Sequence, residues 1–260
     1  MILTTHSPAP RAFGHVTVAG AGPGDPELLT IAVLRALEAA DVILHDRLVS
    51  AEVLALAGPE AVLIETGKQG FGVSMPQDQI TAMILGFAQE GRAVLRLKSG
   101  DPAVFGRLED ELEALEAAGI PFTVLPGITA ASAAAAALGQ SLTRRGRNAD
   151  LRLLTGHGVS GYAEQDWDAL ARPGAVAAIY MGKRAARFLQ GRLMMHGASP
   201  ETPISLVENV SRADQRILGA TLATLTGALS GLTGPVVMLL GLAPRTSSHA
   251  PFCANLEIAP

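Results

Sequence analysis

Residues 15–30 read HVTVAGAGPGDPELLT, and the fold is decided there. From His15 to Gly20, β-branched and small apolar residues follow one another as in a buried strand. Gly20, Gly22 and Gly24 then interrupt the run, with Pro23 among them. From Pro26, apolar residues return near helical spacing through PELLTIAVLRALEAA (26–40). A strand, a glycine turn and a helix in that order make half of a βαβ unit.

The same alternation repeats outward. Strands are predicted at 41–45, 61–66, 92–98 and 121–125. Helices are predicted at 50–57, at 76–91, opened by Pro76, and at 107–119, closed by Gly119. Such repetition predicts a parallel sheet covered on both faces. After Leu125 comes an Ala-rich helix over 128–139 and a basic irregular stretch, SLTRRGRNAD (141–150). Strands at 151–156, 175–181, 203–209, 216–221 and 235–241 and a helix at 183–197 complete a second half. The expected organisation is an arm over 1–13, an α/β domain over 14–126, a linking helix and basic loop over 127–150, a second α/β domain over 151–243, and a tail over 244–260.

Composition agrees with a folded, enzyme-sized chain. Of 260 residues, 48% are hydrophobic and 17% charged, which excludes a disordered chain. The net charge of −4 gives no basic field for nucleic acid or an anionic membrane. A single cysteine, Cys253, rules out an intrachain disulfide and a cysteine-rich zinc site. No run reaches the roughly 18 apolar residues of a membrane helix. The opening MILTTHSPAPRAF lacks the apolar core of a secretion signal. Location in the cytoplasm is expected.

Three small-residue turns fall at strand ends. The first is Gly20–Pro26. The second is Lys98-Ser99-Gly100-Asp101-Pro102, and the third begins Pro126-Gly127-Ile128-Thr129. The first turn does not complete a dinucleotide fingerprint, because Asp25 stands where the third glycine belongs and Pro23 removes an N–H. No phosphate-binding P-loop is present either; Gly67-Lys68 is followed by Gln69. Each turn alone is compatible with tight βα packing. Together they describe a crevice of backbone and carboxylate at the C-terminal ends of strands, where open α/β sheets bind ligands. It suits a zwitterionic or cationic ligand better than a phosphate.

The set VAGAGPGDPELLT (18–30), HDRLVS (45–50), RLKSGDPAVFGR (96–107), LPGITAASA (125–133), SLTRRG (141–146), IYMG (179–182) and VEN (207–209) resembles the tetrapyrrole methylase family over roughly residues 14–243. Among its members, the likeness is greatest to those that methylate uroporphyrinogen III. The resemblance implies a homodimer of two α/β domains of the class III methyltransferase type, with the active site in the interdomain cleft. It implies S-adenosyl-L-methionine as methyl donor and S-adenosyl-L-homocysteine as product. The reaction implied is C-methylation of uroporphyrinogen III at carbons 2 and 7, giving precorrin-2 by way of precorrin-1. Another precorrin C-methyltransferase is the alternative within the family, and a non-catalytic tetrapyrrole-binding protein the alternative outside it.

The matching positions for the methyl donor are Pro23, Ser99, Gly100, Asp101, Val104, Thr129, Ala130, Met181 and Val210. Family roles in proton handling fall on Asp46 as acceptor, Lys68 as donor, and Arg107. Arg47 and Arg145 match substrate-binding arginines. No metal is implied. Two departures stand out. The family's FGRGGEE reads FGRLEDE over 105–111, and its ENGT reads Glu208-Asn209-Val210-Ser211. Val at a glycine position is expected to reshape that loop, because it does not adopt a positive φ cheaply.

The chemistry fits the remaining residues. A polycarboxylate macrocycle needs local cations, and Arg144, Arg145, Arg147 and Arg152 lie close together in sequence. A solvated basic loop is the plainer reading of the same cluster. Asp46 is open to two roles, base or orienting group, since the adjacent Arg47 favours its charged form. The six histidines show no metal-ligand spacing. His45 stands out only for its place beside Asp46, and His157 reads as a cleft or packing residue. Met194 and Met195 are expected to fill core space, and Tyr162 and Trp167 to pack or form an interface.

Overall fold

Strand β1 (Val16–Gly20) lies inside a five-stranded sheet, between β4 (Val94–Lys98) and β5 (Phe122–Leu125). The computed structural model describes residues 13–67, 75–159 and 161–245. The chain divides into two units, 1–127 and 128–260.

In the first unit the sheet order is β3-β2-β4-β1-β5, with β2 at Val42–His45 and β3 at Val62–Glu65. Every pairing is parallel. All five strands therefore end along one edge. Alternation along each strand sorts the side chains. Val16, Val18, Val42, Leu44 and Val94 pack with α3 (Gln77–Gln89) and α4 (Leu108–Ala117). Ala19, Ile43, Leu95 and Leu97 pack on the other face with α1 (Ile31–Ala39) and α2 (Ala51–Leu54). The helix expected over 26–40 is divided. Asp25 accepts from the Glu27 N–H and starts a short 3-10 turn, Pro26–Leu28; Thr30 accepts from the Val33 N–H and starts α1. Two capping residues five apart each begin their own segment.

The second unit is built differently. It opens with α5 (Ala130–Ala137) and holds a sheet of order β11-β10-β12-β9-β6, in which only β6 (Arg152–Thr155) and β9 (Ala177–Tyr180) pair in parallel. The strands β10 (Pro203–Glu208), β11 (Arg216–Thr221) and β12 (Val236–Leu240) join it antiparallel. Its core gathers Trp167, Leu189, Leu193, Leu206 and Met238. Two short helices, α6 (Trp167–Leu170) and α8 (Leu225–Ala228), and a small hairpin of β7 (His157–Gly158) and β8 (Gly161–Tyr162) are additions the sequence pattern did not announce. They are too short to show a period.

One core expectation is corrected. Met194 and Met195 are 42% and 78% exposed. They end α7 (Ala186–Met195), whose inward positions are Ala186, Leu189 and Leu193, spaced three and four apart. The next two residues turn away from that stripe. Trp167 and Tyr162 are not isolated: both rings meet Phe188, edge-on and stacked respectively.

Candidate functional site

The strand ends of the first unit bring most of its predicted residues to one edge. Gly22 and Gly100 form a bridge through two backbone hydrogen bonds, the Gly22 N–H to the Gly100 oxygen at 3.1 Å and the Gly100 N–H to the Gly22 oxygen at 2.7 Å. Gly127 closes the group. A Cβ on Gly127 would stand 2.2 Å from the Gly100 oxygen, and one on Gly20 would stand 2.7 Å from the Gly127 Cα. The three turns therefore interlock by backbone, which only glycine permits here. Gly100 itself has φ +71, and open space lies where its Cβ would be.

Asp101 locks the assembly. Its Oδ1 accepts from the Ala103 N–H at 2.8 Å, and its Oδ2 accepts from the Gly127 N–H at 3.0 Å. The carboxylate thus ties the second turn to the third. Pro23 is buried beside this crossing, and Ser99 and Val104 are half-buried. Arg107 lies further along, 64% exposed, with its guanidinium on Asp110 at 2.7 Å. It starts α4 with φ 54, and Phe105 has φ 53. A Cβ on Gly106, between them, would meet the Pro102 oxygen at 2.3 Å. Left-handed backbone at two non-glycine residues is costly and is concentrated at functional turns.

Beside that turn lies a buried group of charges. Arg96 and Lys98 share the face of β4 that Val94 presents to α3 and α4. Arg96, 2% exposed, donates from Nε to Glu111 Oε1 at 3.0 Å and from Nη2 to Asp46 Oδ1 at 2.5 Å. Its Nη1 donates to the Leu44 and Leu97 carbonyl oxygens. Lys98 Nζ reaches Glu111 Oε1 at 2.7 Å, and Gln77 Nε2 reaches the same oxygen at 3.0 Å. Glu111 is fully buried, and its Oε2 has no hydrogen-bond partner among the described residues. Burial works against the charge on Arg96, but the Asp46 and Glu111 carboxylates outweigh it and hold the guanidinium above its ordinary range. Burial first, and the Arg96 charge second, push the Lys98 ammonium below the usual lysine value. Removing one partner from such a buried set typically costs about 3–5 kcal/mol.

The guanidinium bonded to Asp46 is therefore Arg96. Arg47, adjacent in sequence, is exposed. Asp46 is one-third exposed, and its Oδ2 takes no hydrogen bond among the described residues. The neighbouring His45 is buried, with Nδ1 at 3.2 Å from the Asp46 carbonyl oxygen, a packing position. Lys68 lies outside the described residues.

In the second unit the predicted positions share the edge where β9 and β10 end. Thr129 caps α5, its Oγ1 accepting from the Ser132 N–H. One residue past Ala130, the Ala131 N–H donates to the Tyr180 hydroxyl at 3.0 Å. This fixes the start of α5 at the end of β9, next to Met181, which is 50% exposed with φ 51. After β10, Asn209 and Ser211 have φ 51 and 63. Val210 between them is buried without a positive φ. The valine thus avoids the strain expected of it, because its two neighbours take the left-handed turns.

The arginine cluster separates. Arg147 donates to the Asn148 side chain and the Ser141 carbonyl, and Arg152 pairs with Asp150 and Asp166. Arg144 and Arg145 are exposed and form no ion pair among the described residues. His157 is exposed on the small hairpin rather than packed. Among the described residues no three His, Cys, Asp or Glu side chains gather as a metal site, and no helix is long and apolar enough to cross a membrane.

Arg96, Lys98 and Glu111 escaped the sequence reading. One signal was available: two basic residues at alternate positions of a central strand otherwise built of Val and Leu. Glu111 has only its match to the last glutamate of the FGRGGEE motif, and otherwise sits among the acidic residues of LEDELEALEA (108–117), which look like a solvated face.

The family model described as tetrapyrrole (corrin/porphyrin) methylases matches residues 15–226. The siroheme synthases of Edwardsiella ictaluri and Stutzerimonas stutzeri are 45% and 43% identical over 235 residues, 90% of this chain. The chain spans about half the length of these relatives, 51% and 50%. Among solved structures, the Thermus thermophilus uroporphyrin-III C-methyltransferase complexed with S-adenosyl homocysteine is 35% identical, with a TM-score of 0.76, covering 88% of this chain and 97% of that one. A cobalt precorrin-4 methyltransferase is 27% identical with a TM-score of 0.78, covering 87% and 94%.

Proposed function

The chain belongs to the tetrapyrrole (corrin/porphyrin) methylase family, and from that premise we propose that it transfers methyl groups from S-adenosyl-L-methionine to carbons 2 and 7 of uroporphyrinogen III. The observation that carries this reading is the interlocked crossing of Gly20, Gly22, Gly100 and Gly127, clamped by Asp101. It leaves a ledge of backbone free of side chains at Gly100, suited to a ligand that must lie close to the chain.

The donor's contacts are Pro23, Ser99, Gly100, Asp101 and Val104 in the first unit and Thr129, Ala130, Met181 and Val210 in the second. S-adenosyl-L-methionine, when bound, supplies a sulfonium-activated methyl group. The chain's part is to hold the acceptor carbon in line with that methyl, which can contribute several kcal/mol, up to roughly 7–11. It must also take a proton from the alkylated pyrrole. Asp46 offers Oδ2, which takes no hydrogen bond among the described residues, for that transfer, while its other oxygen is held by Arg96. Lys68 and Arg107 serve proton handling, and Arg47 and Arg145 meet the substrate's carboxylates as bidentate partners. A homodimer is part of the same proposal.

The test is incubation of the purified chain with uroporphyrinogen III and the methyl donor, followed by mass spectrometry. Two added methyl groups are expected. Untouched uroporphyrinogen III, with methylation of a precorrin supplied in a parallel incubation, would favour the later-pathway reading. Binding without any transfer would reduce the chain to a tetrapyrrole-binding protein.

A further inference from the structure

The buried charges around Arg96 exceed what packing requires. Alternation along β4 assigns positions 94, 96 and 98 to the core between the sheet and helices α3 and α4. Two aliphatic side chains would satisfy those sites. Instead there are two cations balanced by two carboxylates, Asp46 and Glu111. The four are not equivalent. Lys98, Arg96 and Glu111 are nearly or fully inaccessible, whereas Asp46 has 34% of its side chain exposed. Of the four charged groups, Asp46 alone is partly exposed, and it is the proposed proton acceptor.

The bonding gives the network a direction. Every nitrogen of the Arg96 guanidinium is engaged: Nε on Glu111, Nη1 on the Leu44 and Leu97 carbonyls, and Nη2 on Asp46. A planar fork held at three corners cannot turn without breaking several bonds. Glu111 is in turn anchored by Lys98 and Gln77 on the same oxygen that receives Arg96. Glu111 therefore sets Arg96, and Arg96 sets Asp46.

We propose that Glu111 is a positioning residue for methyl transfer, acting through Arg96 to fix the Asp46 carboxylate where the substrate proton is released. The proposal rests on the methyltransferase reading above. It touches neither the methyl donor nor the macrocycle, so its effect belongs to turnover rather than to binding.

The experiment is a double-mutant cycle on the full chain with uroporphyrinogen III. Glu111→Gln should lower kcat roughly 10- to 100-fold, as a small misplacement of a reacting group does, while the KM for S-adenosyl-L-methionine stays within about twofold. Asp46→Asn should lower kcat as well. The double variant should be no slower than Asp46→Asn alone, because Glu111 has nothing left to position. Losses that multiply in the double variant, or an unchanged kcat in Glu111→Gln, would overturn the proposal. Arg96→Lys, which keeps a buried cation but loses the fork, provides the same cycle if Glu111→Gln does not fold. Unfolding of both variants would leave the quartet a stabilising role only and also overturn it. A crystal structure separates this inference from the functional reading. If the unaltered chain transfers no methyl, the Asp46 carboxylate should still be displaced by about 1 Å in Glu111→Gln, and an Asp46 that keeps its place on Arg96 would refute the positioning role.

Discussion

The two units solve the same problem, presenting loops at the end of a sheet, by different means. The first uses a wholly parallel sheet and puts charge inside it. Its central strand carries Arg96 and Lys98, and its three turns interlock through glycines. The second uses a mixed sheet over an apolar core and, as the first does at Phe105 and Arg107, bends its backbone into left-handed turns. Met181, Asn209 and Ser211 all take left-handed angles at strand ends. Its one buried acid in the sheet, Glu208, is satisfied by the Gly234 N–H and by Arg216. The proposed proton acceptor, Asp46, thus stands beside buried cations, which the second unit lacks among its described residues.

The sharpest way to break this comparison is to fill the crossing. In Gly127→Ala the new Cβ would stand 2.2 Å from the Gly100 oxygen, with backbone on both sides and nothing flexible to yield. A loss of more than about 4 kcal/mol in stability is expected, with the affinity for S-adenosyl-L-methionine down by more than roughly 100-fold; calorimetry reads both. Next is the apolar core of the second unit. Trp167→Ala removes a 4% exposed ring packed on Phe188 and should cost about 3–5 kcal/mol in chemical denaturation. A loss below about 1 kcal/mol would deny that this unit relies on packing.

A milder cut separates clamp from crossing. Asp101→Ala removes acceptors from the Ala103 and Gly127 N–H groups while leaving the glycines in place. Donor affinity should fall roughly tenfold, and an unchanged dissociation constant in titration calorimetry would free Asp101 from the site. The smallest effect concerns acid. The Trp167 N–H and then Arg192 hold the Glu164 carboxyl below its ordinary value. A depressed carboxyl stabilises the fold above its unfolded pKa and loses that contribution as pH falls through the folded one. The melting temperature of Glu164→Gln should therefore lie below that of the unaltered chain by no more than about 2 °C at pH 7. The gap should close as pH falls below the ordinary glutamate value; a gap that persists in acid would assign the effect to packing.

Local pattern carried much of the fold. β-branched runs, the glycine turns, Pro76 and Gly119 are short-range signals, and strands and helices appear near where they were expected. Sheet order and the antiparallel strands of the second unit depend on pairings between distant segments, which periodicity does not contain. Within the site, glycine and acidic turns were legible because few residue types fit them. Arg96 and Glu111 were not, since a charge in a sequence looks solvated until its partner is brought from fifteen residues away. The exposure of Met194 and Met195 has the same origin: hydropathy marked them apolar, and only the phase of the helix shows which way they face.

The loop after β10 separates two requirements that a glycine would merge. Asn209 and Ser211 supply its handedness, and Val210 between them keeps an ordinary backbone and a buried isopropyl group. The middle residue is thereby released from the task of bending the chain. It becomes a size gauge, where trimming or adding a methyl would alter the room beneath the turn while the path of the main chain stays the same.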